Sequence, residues 1–578
     1  MDRRGKGYGT MRDKELNRGG NEIHISVRNV DSLPEELGRL SGSEIMKRLL
    51  EGRYPQGVIR RLSNLDFIWL VKKIGEDDSL SLLALGSLAQ WQHLFDIEVW
   101  EGDYFCVART AEWLKRLFDA DPRRLVRWLF NEGRYLAYAY FYRALEVIIV
   151  DPDQDDTLEI PEEFFTLDGV YYVKAADEEY LPVIRDILQV MMDLDYEGYS
   201  WFLVNLQGVV PAETEEEMYR LRNVRMAEDG YLPLDEALEA YAPLDLPSLE
   251  SGGGPFRSDV IDVSNHKIAA PLLPLLYAGE GTILHEVAGR ISDTRVIDRL
   301  RREFAGLCNQ IHVADGCTSH DPEALERTCR KTGGYINMVL EERSGGDPLT
   351  AETLVRSNSL LSIFRAGFGL AMQLKWEADR LIEESWFRTR GLPPSFWGDL
   401  MGKTLEGLRA RRPLFYEGNE AKESYRDFEC LSDWGKCRSQ LSALSALDRL
   451  FERLDHAIPL GHHIGEATDL TFKPLLVTFW ARKRLGIDSG YAPVSRDEAQ
   501  AFLMLLRKGE TASPYPMNGE CQSFVHDFMA YATDFDPDST AALEQSLLCL
   551  WHDFVEEYER VASTDIVPRY SKLIMIAA

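Results

Sequence analysis

The sequence predicts a mainly α protein, a multi-helical array of short antiparallel helices with one small β-hairpin insertion. Three observations predict it. Apolar residues recur at helical spacing, as in Leu441, Leu444, Leu447, Phe451 and Leu454, and again in Leu543, Leu547, Leu550, Trp551 and Phe554. Start and stop residues punctuate these runs at short intervals. Strand character is concentrated at 164–173, where two aromatic and β-branched runs flank Asp168-Gly169. A hydrophobic content of 45% with 28% charged residues is that of a globular chain, and excludes a wholly disordered, collagenous or membrane-embedded one.

The elements follow in order. Residues 1–28 are Gly-rich and mildly basic (Arg3, Arg4, Lys6, Arg12), which predicts a disordered tail that buries too little apolar area to offset its ordering entropy. Residues 29–150 read as a helical array. Ser43 caps a helix carrying Ile45, Leu49 and Leu50, stopped by Gly52. Asn64 caps the next, with Leu65, Ile68, Trp69 and Ile74, stopped by Gly75. Ser87 and Gln90 form a capping box ahead of Leu88, Trp91, Leu94 and Phe95. Asp121-Pro122 is a start signal, since the carboxylate accepts free N–H groups and proline lacks a donor where none is needed. Short links favour antiparallel neighbours. No fixed-period repeat emerges.

Residues 151–243 predict an α+β insertion. Twelve acidic and two basic residues lie between Asp151 and Asp186, and this stretch contains the Asp-Gly hairpin. Helical spacing returns at Tyr180–Leu194 and near Glu215–Ala227, where Glu213–Glu217 decorates a helix N-terminus. Residues 244–260, with Ser251-Gly252-Gly253-Gly254, form a linker, and 261–578 a helical C-terminal region jointed at Pro393-Pro394 and Pro514-Tyr515-Pro516. Aromatic residues, 11% of the chain, fill the cores between helices.

A net charge of -30 and a pI near 4.9 argue against nucleic acid and anionic lipid as partners, because both demand clustered cations. No run reaches the roughly 18 apolar residues that span a bilayer, so no membrane insertion is expected. The eight cysteines are scattered without a C-x-x-C pair, which predicts reduced thiols and a cytoplasmic location.

Five segments carry a resemblance: LLALGSLAQWQHLFDIEVWEGD (82–103), TLDGVYY (166–172), EEMYRLRNVRMAEDGYLPLDEAL (216–238), RRPLFYEG (411–418) and VTFWARKRLG (477–486). Together they resemble a family of uncharacterised bacterial proteins catalogued only as a domain of unknown function. The likeness spans roughly residues 80–510 and implies one covering family. It implies no catalytic residue and no cofactor. The early helices also resemble the superhelical regulatory domains of bacterial magnesium transporters and flagellar switch proteins.

Two sets of residues have metal-ligand chemistry. Asp151, Asp153, Asp155, Glu159 and Glu162 fall at positions 1, 3, 5, 9 and 12 of a calcium loop, although Asp156 stands where glycine makes the sharp turn. Cys308, His312, Cys317 and His320, with Cys329 nearby, could close a zinc tetrahedron. On a helix, Cys308 and His312 sit one turn apart, and Asp315-Gly316 reads as the helix end. Gly398–Thr404 ends like a phosphate loop but follows Pro393-Pro394 rather than a strand, so it reads as a helix start. His456 and His462-His463 read as a loop between helices, and His285-Glu286 lacks the second histidine of a zinc protease. Two basic clusters, Arg409, Arg411, Arg412 and Arg482, Lys483, Arg484, read as partners of the chain's own carboxylates. No nucleophile elbow, dinucleotide fingerprint or kinase motif set occurs. The expectation is a helical scaffold or protein-interaction module without a cofactor. The alternative is an enzyme, metal-assisted through one of these two sets, or a regulator responsive to a divalent cation.

Overall fold

At many of the helix starts a side-chain oxygen covers a free backbone N–H group. The computed structural model describes residues 37–51, 56–150, 160–249, 270–317, 321–418, 425–458, 470–487, 490–507 and 513–577. Its first helices are α1 (Gly42–Leu50), α2 (Gln56–Ile59), α3 (Asn64–Ile74), α4 (Leu80–Leu85), α5 (Leu88–Glu98), α6 (Val107–Ala120), α7 (Pro122–Phe130) and α8 (Arg134–Ala144). The Ser87–Gln90 box and the Asp121 cap form as expected. Two caps are displaced. Ser41, not Ser43, makes a capping box with Glu44, and Ser63, not Asn64, accepts from the Asp66 N–H. In both cases the expected cap is already a helical residue, and the hydroxyl that reaches the free donor lies just upstream. Gly75 ends α3 with φ 105° as expected. Gly52 and the 1–28 tail lie outside the described residues.

The hairpin forms: β4 (Phe165–Thr166) pairs with β5 (Tyr171–Ala175), Phe165 opposite Val173. Its turn is longer than a two-residue Asp-Gly turn. Asp168 Oδ1 accepts from the Val170 and Tyr171 N–H groups at 2.9 and 3.0 Å, Thr166 Oγ1 accepts from Gly169, and Gly169 takes φ 78°. The hairpin is also not alone. β3 (Leu145–Ile149) pairs antiparallel with β5, giving the order β3-β5-β4. This strand lies within the stretch expected to be helical. The β-branched run Val147-Ile148-Ile149 favours extended backbone as soon as α8 ends. Two more ladders join β1 (Trp100–Glu101) to β2 (Tyr104–Phe105) and β6 (Phe415–Tyr416) to β7 (Tyr425–Arg426).

Helices α9 (Leu181–Leu194), α10 (Tyr196–Leu206), α11 (Pro211–Glu228) and α12 (Leu234–Leu238) lead to α13 (Leu273–Leu276), α14 (Ile283–Arg290) and α15 (Thr294–Ala314). The region expected as a linker begins tied down, because Leu244 N–H donates to Arg365 O and Arg365 Nε to Ala242 O. Residues 250–260 of it lie outside the described residues. Asp66, fully buried on α3, accepts from the Leu272 and Leu273 N–H groups at the start of α13, at 2.8–3.1 Å.

The centre is built by α16 (Pro322–Ser344), α17 (Pro348–Ser357), α18 (Leu360–Glu384), α19 (Trp386–Thr389), α20 (Gly398–Arg409) and α21 (Leu431–Ala457). α16 packs against α15, α17, α18 and α21. Its contact with α18 depends on a missing side chain: a Cβ on Gly367 would lie 2.0 Å from the Tyr335 carbonyl oxygen. The last group is α22 (Phe472–Leu485), α23 (Arg496–Leu506), α24 (Cys521–Met529) and α25 (Pro537–Tyr558). The two leucine-rich stripes on α21 and α25 are buried and the two helices pack together. One continuous apolar cluster runs from Leu37 to Ile574. Among the described residues no helix is long and apolar enough to cross a membrane.

Asp448 on α21 accepts from the Trp386 and Phe387 N–H groups that open α19, at 2.9 and 3.1 Å. Burial pushes its carboxyl up to about 6, the two N–H donors pull it back, and Glu452 adds to the rise. A raised carboxyl binds its proton more tightly folded than unfolded, so the stability it contributes is present below its unfolded value of 3.8 and is lost as pH rises through about 6. The melting-temperature advantage of the wild type over Asp448→Asn is therefore expected to shrink as pH rises from about 5 to about 7.5. A gap independent of pH in thermal melts would contradict this.

Candidate functional site

An opening sits where α20, the β6–β7 ladder and α21 meet. Pro393-Pro394 start a 3-10 turn, Pro394–Trp397, and Gly398 with φ 80° launches α20, so Gly398–Thr404 is a helix start as the sequence implies. The chain doubles back after Ala410, with Leu414 N–H donating to Gly407 O at 3.0 Å. A Cβ on Gly407 would lie 2.9 Å from Leu414 O, so only glycine leaves room for this return. The returning RRPLFYEG segment places Phe415 and Tyr416 on β6 and Glu417 and Gly418 beyond it. With Leu400 and Thr404 of α20, Arg426 of β7, and Lys436, Cys437 and Gln440 of α21, they enclose a cleft of about 540 Å³. That volume is in the range that small-molecule sites occupy, roughly 300–1,000 Å³.

Charge in the cleft is unevenly matched. The Arg426 guanidinium donates to both Asp433 oxygens at 2.7 and 2.9 Å and to Glu417 at 2.8 Å, and lies 4.6 Å from the Phe415 ring centroid. Burial opposes its charge, yet the Asp433 and Glu417 carboxylates hold it protonated above its ordinary range. Lys436, 5.8 Å from the Phe415 ring, has no ion pair among the described residues. Burial pushes the Cys437 thiol up to about 12, so it is neutral and unreactive at neutral pH. Gln440 Oε1 is shielded from solvent and accepts no hydrogen bond.

A second polar assembly is buried where α5 meets α11. Apolar residues occupy several sides of α5, so the polar residues between them are buried too. Gln90 donates to Ile59 O and Leu62 O at 3.1 and 3.0 Å. His93 Nδ1 lies 3.4 Å from Asp229 Oδ2, while its Nε2 has no hydrogen-bond partner. Asp96 takes both forks of Arg225 at 2.6 and 2.7 Å, and its carbonyl accepts from Arg222 Nε. Glu98 Oε2 meets Lys72 at 2.8 Å and Arg109 at 2.7 Å. Burial depresses His93 and raises Asp229, so both shifts favour a neutral pair. A carboxylate-oriented imidazole is the arrangement of a general base. Here it is 4% exposed, and the void beside Asp96 and Arg225 holds about 30 Å³, the share of one water. The assembly therefore welds two segments. Those segments are 82–103 and 216–238, the two longest of the five that carry the family resemblance. The signal for it was available, since polar residues on a helix with little polar face must find partners inside.

Asp96→Asn tests the weld. Losing one partner of a fully buried pair costs about 3–5 kcal/mol, but Arg225 is 39% exposed and can reach water, so about 1–3 kcal/mol is expected in urea unfolding. A loss outside that window would show that the pair is solvated, or buried, to a different degree.

The residues singled out from sequence fall as follows. Asp151, Asp153, Asp155 and Glu159 lie outside the described residues, and Glu162 is exposed in the turn before β4. Cys308 and His312 are buried one turn apart on α15, which ends at Ala314 beside Gly316 with φ 69°. The Cys308 thiol pairs with Cys329 on α16, and His312 Nδ1 lies 3.4 Å from Thr328 Oγ1. Cys317 is exposed and His320 lies outside the described residues. Among the described residues no three His, Cys, Asp or Glu side chains gather as a metal site. His285 is on α14 and His456 ends α21, while His462 and His463 lie outside the described residues. Four of the six basic residues meet the chain's own carboxylates: Arg409 with Asp379, Arg412 with Asp315, Lys483 with Asp527 and Arg484 with Glu520, while Arg482 donates to the Ala492 carbonyl. Arg412 also stacks 3.9 Å from the Tyr241 ring.

A search of curated proteins finds no match to the chain, and a search of solved structures finds none. A family model does match, over residues 24–577, which takes in the α5–α11 weld and the cleft alike. The chain belongs to the family of unknown function DUF6178.

Proposed function

We propose that the chain is a helical scaffold that holds a protein partner on the outer face of α8 and α10. One observation carries the reading. Trp201 on α10 is 69% exposed, with Val204 at 45% beside it on the same helix and Tyr142 of α8 at 40%. The two helices are joined beneath, since Tyr138 of α8 packs 5.2 Å from Phe202 of α10. Exposed tryptophan and tyrosine on a rigid support are the residues that dominate protein interfaces, because they cover large area at low entropy cost. The cysteines are free thiols, which supports a reducing compartment, the cytoplasm.

Photo-crosslinking in the native host tests this. A benzophenone side chain at position 201 is expected to trap one discrete polypeptide, and the same probe at the similarly exposed Trp376, 49%, is expected not to. No adduct at 201, or the same adducts at both positions, would defeat the reading.

A further inference from the structure

We infer that the face where the turn after α2 meets α7 is a docking surface for a short acidic segment of a protein partner. Five arginines converge there: Arg60 and Arg61 follow α2, and Arg123, Arg124 and Arg127 lie on α7. Gly86 O, just past α4, accepts from both Arg60 Nε, at 3.3 Å, and Arg124 Nη2, while Arg124 Nη1 donates to Ala84 O at 3.2 Å. The Arg124 guanidinium lies 4.1 Å from the Trp91 ring centroid. Arg123 and Arg127 stand one turn apart on α7, and both are exposed, as are Arg60 and Arg61.

A single unmatched cation is ordinary on a surface; here the carboxylates are missing as a group. No acidic residue occurs in 56–65, 79–95 or 122–131, the three stretches that meet, although acidic residues number 95 of 578 in the chain. None of the five arginines forms an ion pair among the described residues. Asp121, the carboxylate beside them, caps α7 by accepting the Arg124 N–H at 3.1 Å. Burial and the Arg60 charge push the Arg124 guanidinium below its ordinary range, and Asp121 offsets them only in part. Arg123 and Arg124 also occupy the first turn of α7, where the helix dipole disfavours a cation. An anion held on this face relieves each of these costs. Arginine forks match carboxylates two hydrogen bonds at a time, which suits Asp and Glu side chains. A short acidic segment stays within the patch. A long nucleic acid or an anionic bilayer must run beyond it, over the surface of a chain whose net charge is -30.

Fluorescence anisotropy with full-length protein and labelled octaglutamate tests this, with an oligothymidylate of the same length and phosphatidylserine vesicles as the other arms. Saturable binding of octaglutamate is expected, weakened about tenfold in the double variant Arg123→Glu/Arg127→Glu. Both side chains are exposed, and glutamate is favourable in a first helical turn, so this variant is expected to fold, which circular dichroism checks. Arg61→Glu, outside any helix, gives a second reading, a loss of about threefold. The control Arg220→Glu/Arg330→Glu makes the same change in net charge at two exposed arginines that already have partners, Glu217 and Glu326. It is expected to leave the affinity within about twofold of wild type. Three results each overturn the inference: no saturable binding of octaglutamate, an equal loss in the control and in Arg123→Glu/Arg127→Glu, or oligothymidylate or vesicles binding at least as tightly as octaglutamate. The surface uses no residue of the α8–α10 face, so its failure leaves the crosslinking prediction at Trp201 standing.

Discussion

Trp480→Ala is expected to lower the unfolding free energy by about 3–5 kcal/mol, the cost of deleting a large buried ring that its surroundings fail to refill. Trp480 is 1% exposed at the middle of α22. Three rings meet it near perpendicular: Phe502 at 5.6 Å and 82°, Phe524 at 5.2 Å and 89°, and Trp551 at 5.6 Å and 88°. Those rings come from α23, α24 and α25, so one side chain joins all four helices of the C-terminal group. Its indole N–H also donates to Asp527 Oδ2 at 2.9 Å, and the substitution strands that carboxylate with Lys483 alone. Alanine therefore leaves a void bordered by rigid rings and removes a hydrogen bond. Urea unfolding followed by circular dichroism is the measurement. A loss under about 1 kcal/mol would mean that the four helices close over the gap, and would contradict the packing described.

Gly367→Ala is expected to cost about 3 kcal/mol although it adds one methyl group, because nothing near it can move alone. The added carbon would sit 2.0 Å from Tyr335 O and 2.7 Å from Tyr335 C, both main chain of α16. A clash with a flexible side chain relaxes by a rotamer change, whereas this one requires two long helices to separate. α16 is also held closely by a second neighbour. Gly334, one residue before Tyr335, would place a Cβ 2.1 Å from Phe428 O. Gly346→Ala makes the comparison informative. Gly346 has φ 85° with nothing near its Cβ position, so it reports backbone strain without a clash and is expected to cost less, about 1 kcal/mol. Equal losses for the two variants in chemical unfolding would show that the two helices yield at Gly367 at little cost, and would contradict the close packing described.

The helical class was legible because its signals are local. The Ser87–Gln90 box, the Asp121-Pro122 start and the α21 stripe each depend on residues within a few positions of one another. The β3 strand was not legible, because Leu145–Ile149 acquires its partner from Tyr171–Ala175, across a stretch that gives no spacing rule. The weld between α5 and α11 was hidden for the same reason. The polar residues of α5 must find partners inside, but nothing local says that the partner of Asp96 is Arg225, 129 residues away. The sequence does show Arg409 and Arg412 as conspicuous cations. It does not show that they are matched while Lys436 is not, since that distinction depends on which carboxylates the fold delivers.

The Asp66 carboxylate has a consequence for how the chain is made. Its backbone donors are 206 and 207 residues downstream, at Leu272 and Leu273. A ribosome adding roughly 5–20 residues per second leaves that acid without them for roughly 10–40 s. During this interval the emerging amino-terminal helices must either keep it hydrated, by staying partly open, or carry it protonated. Nascent chains halted before Leu272 are therefore expected to be cut by protease within α3, and chains released after α13 has emerged are expected to resist.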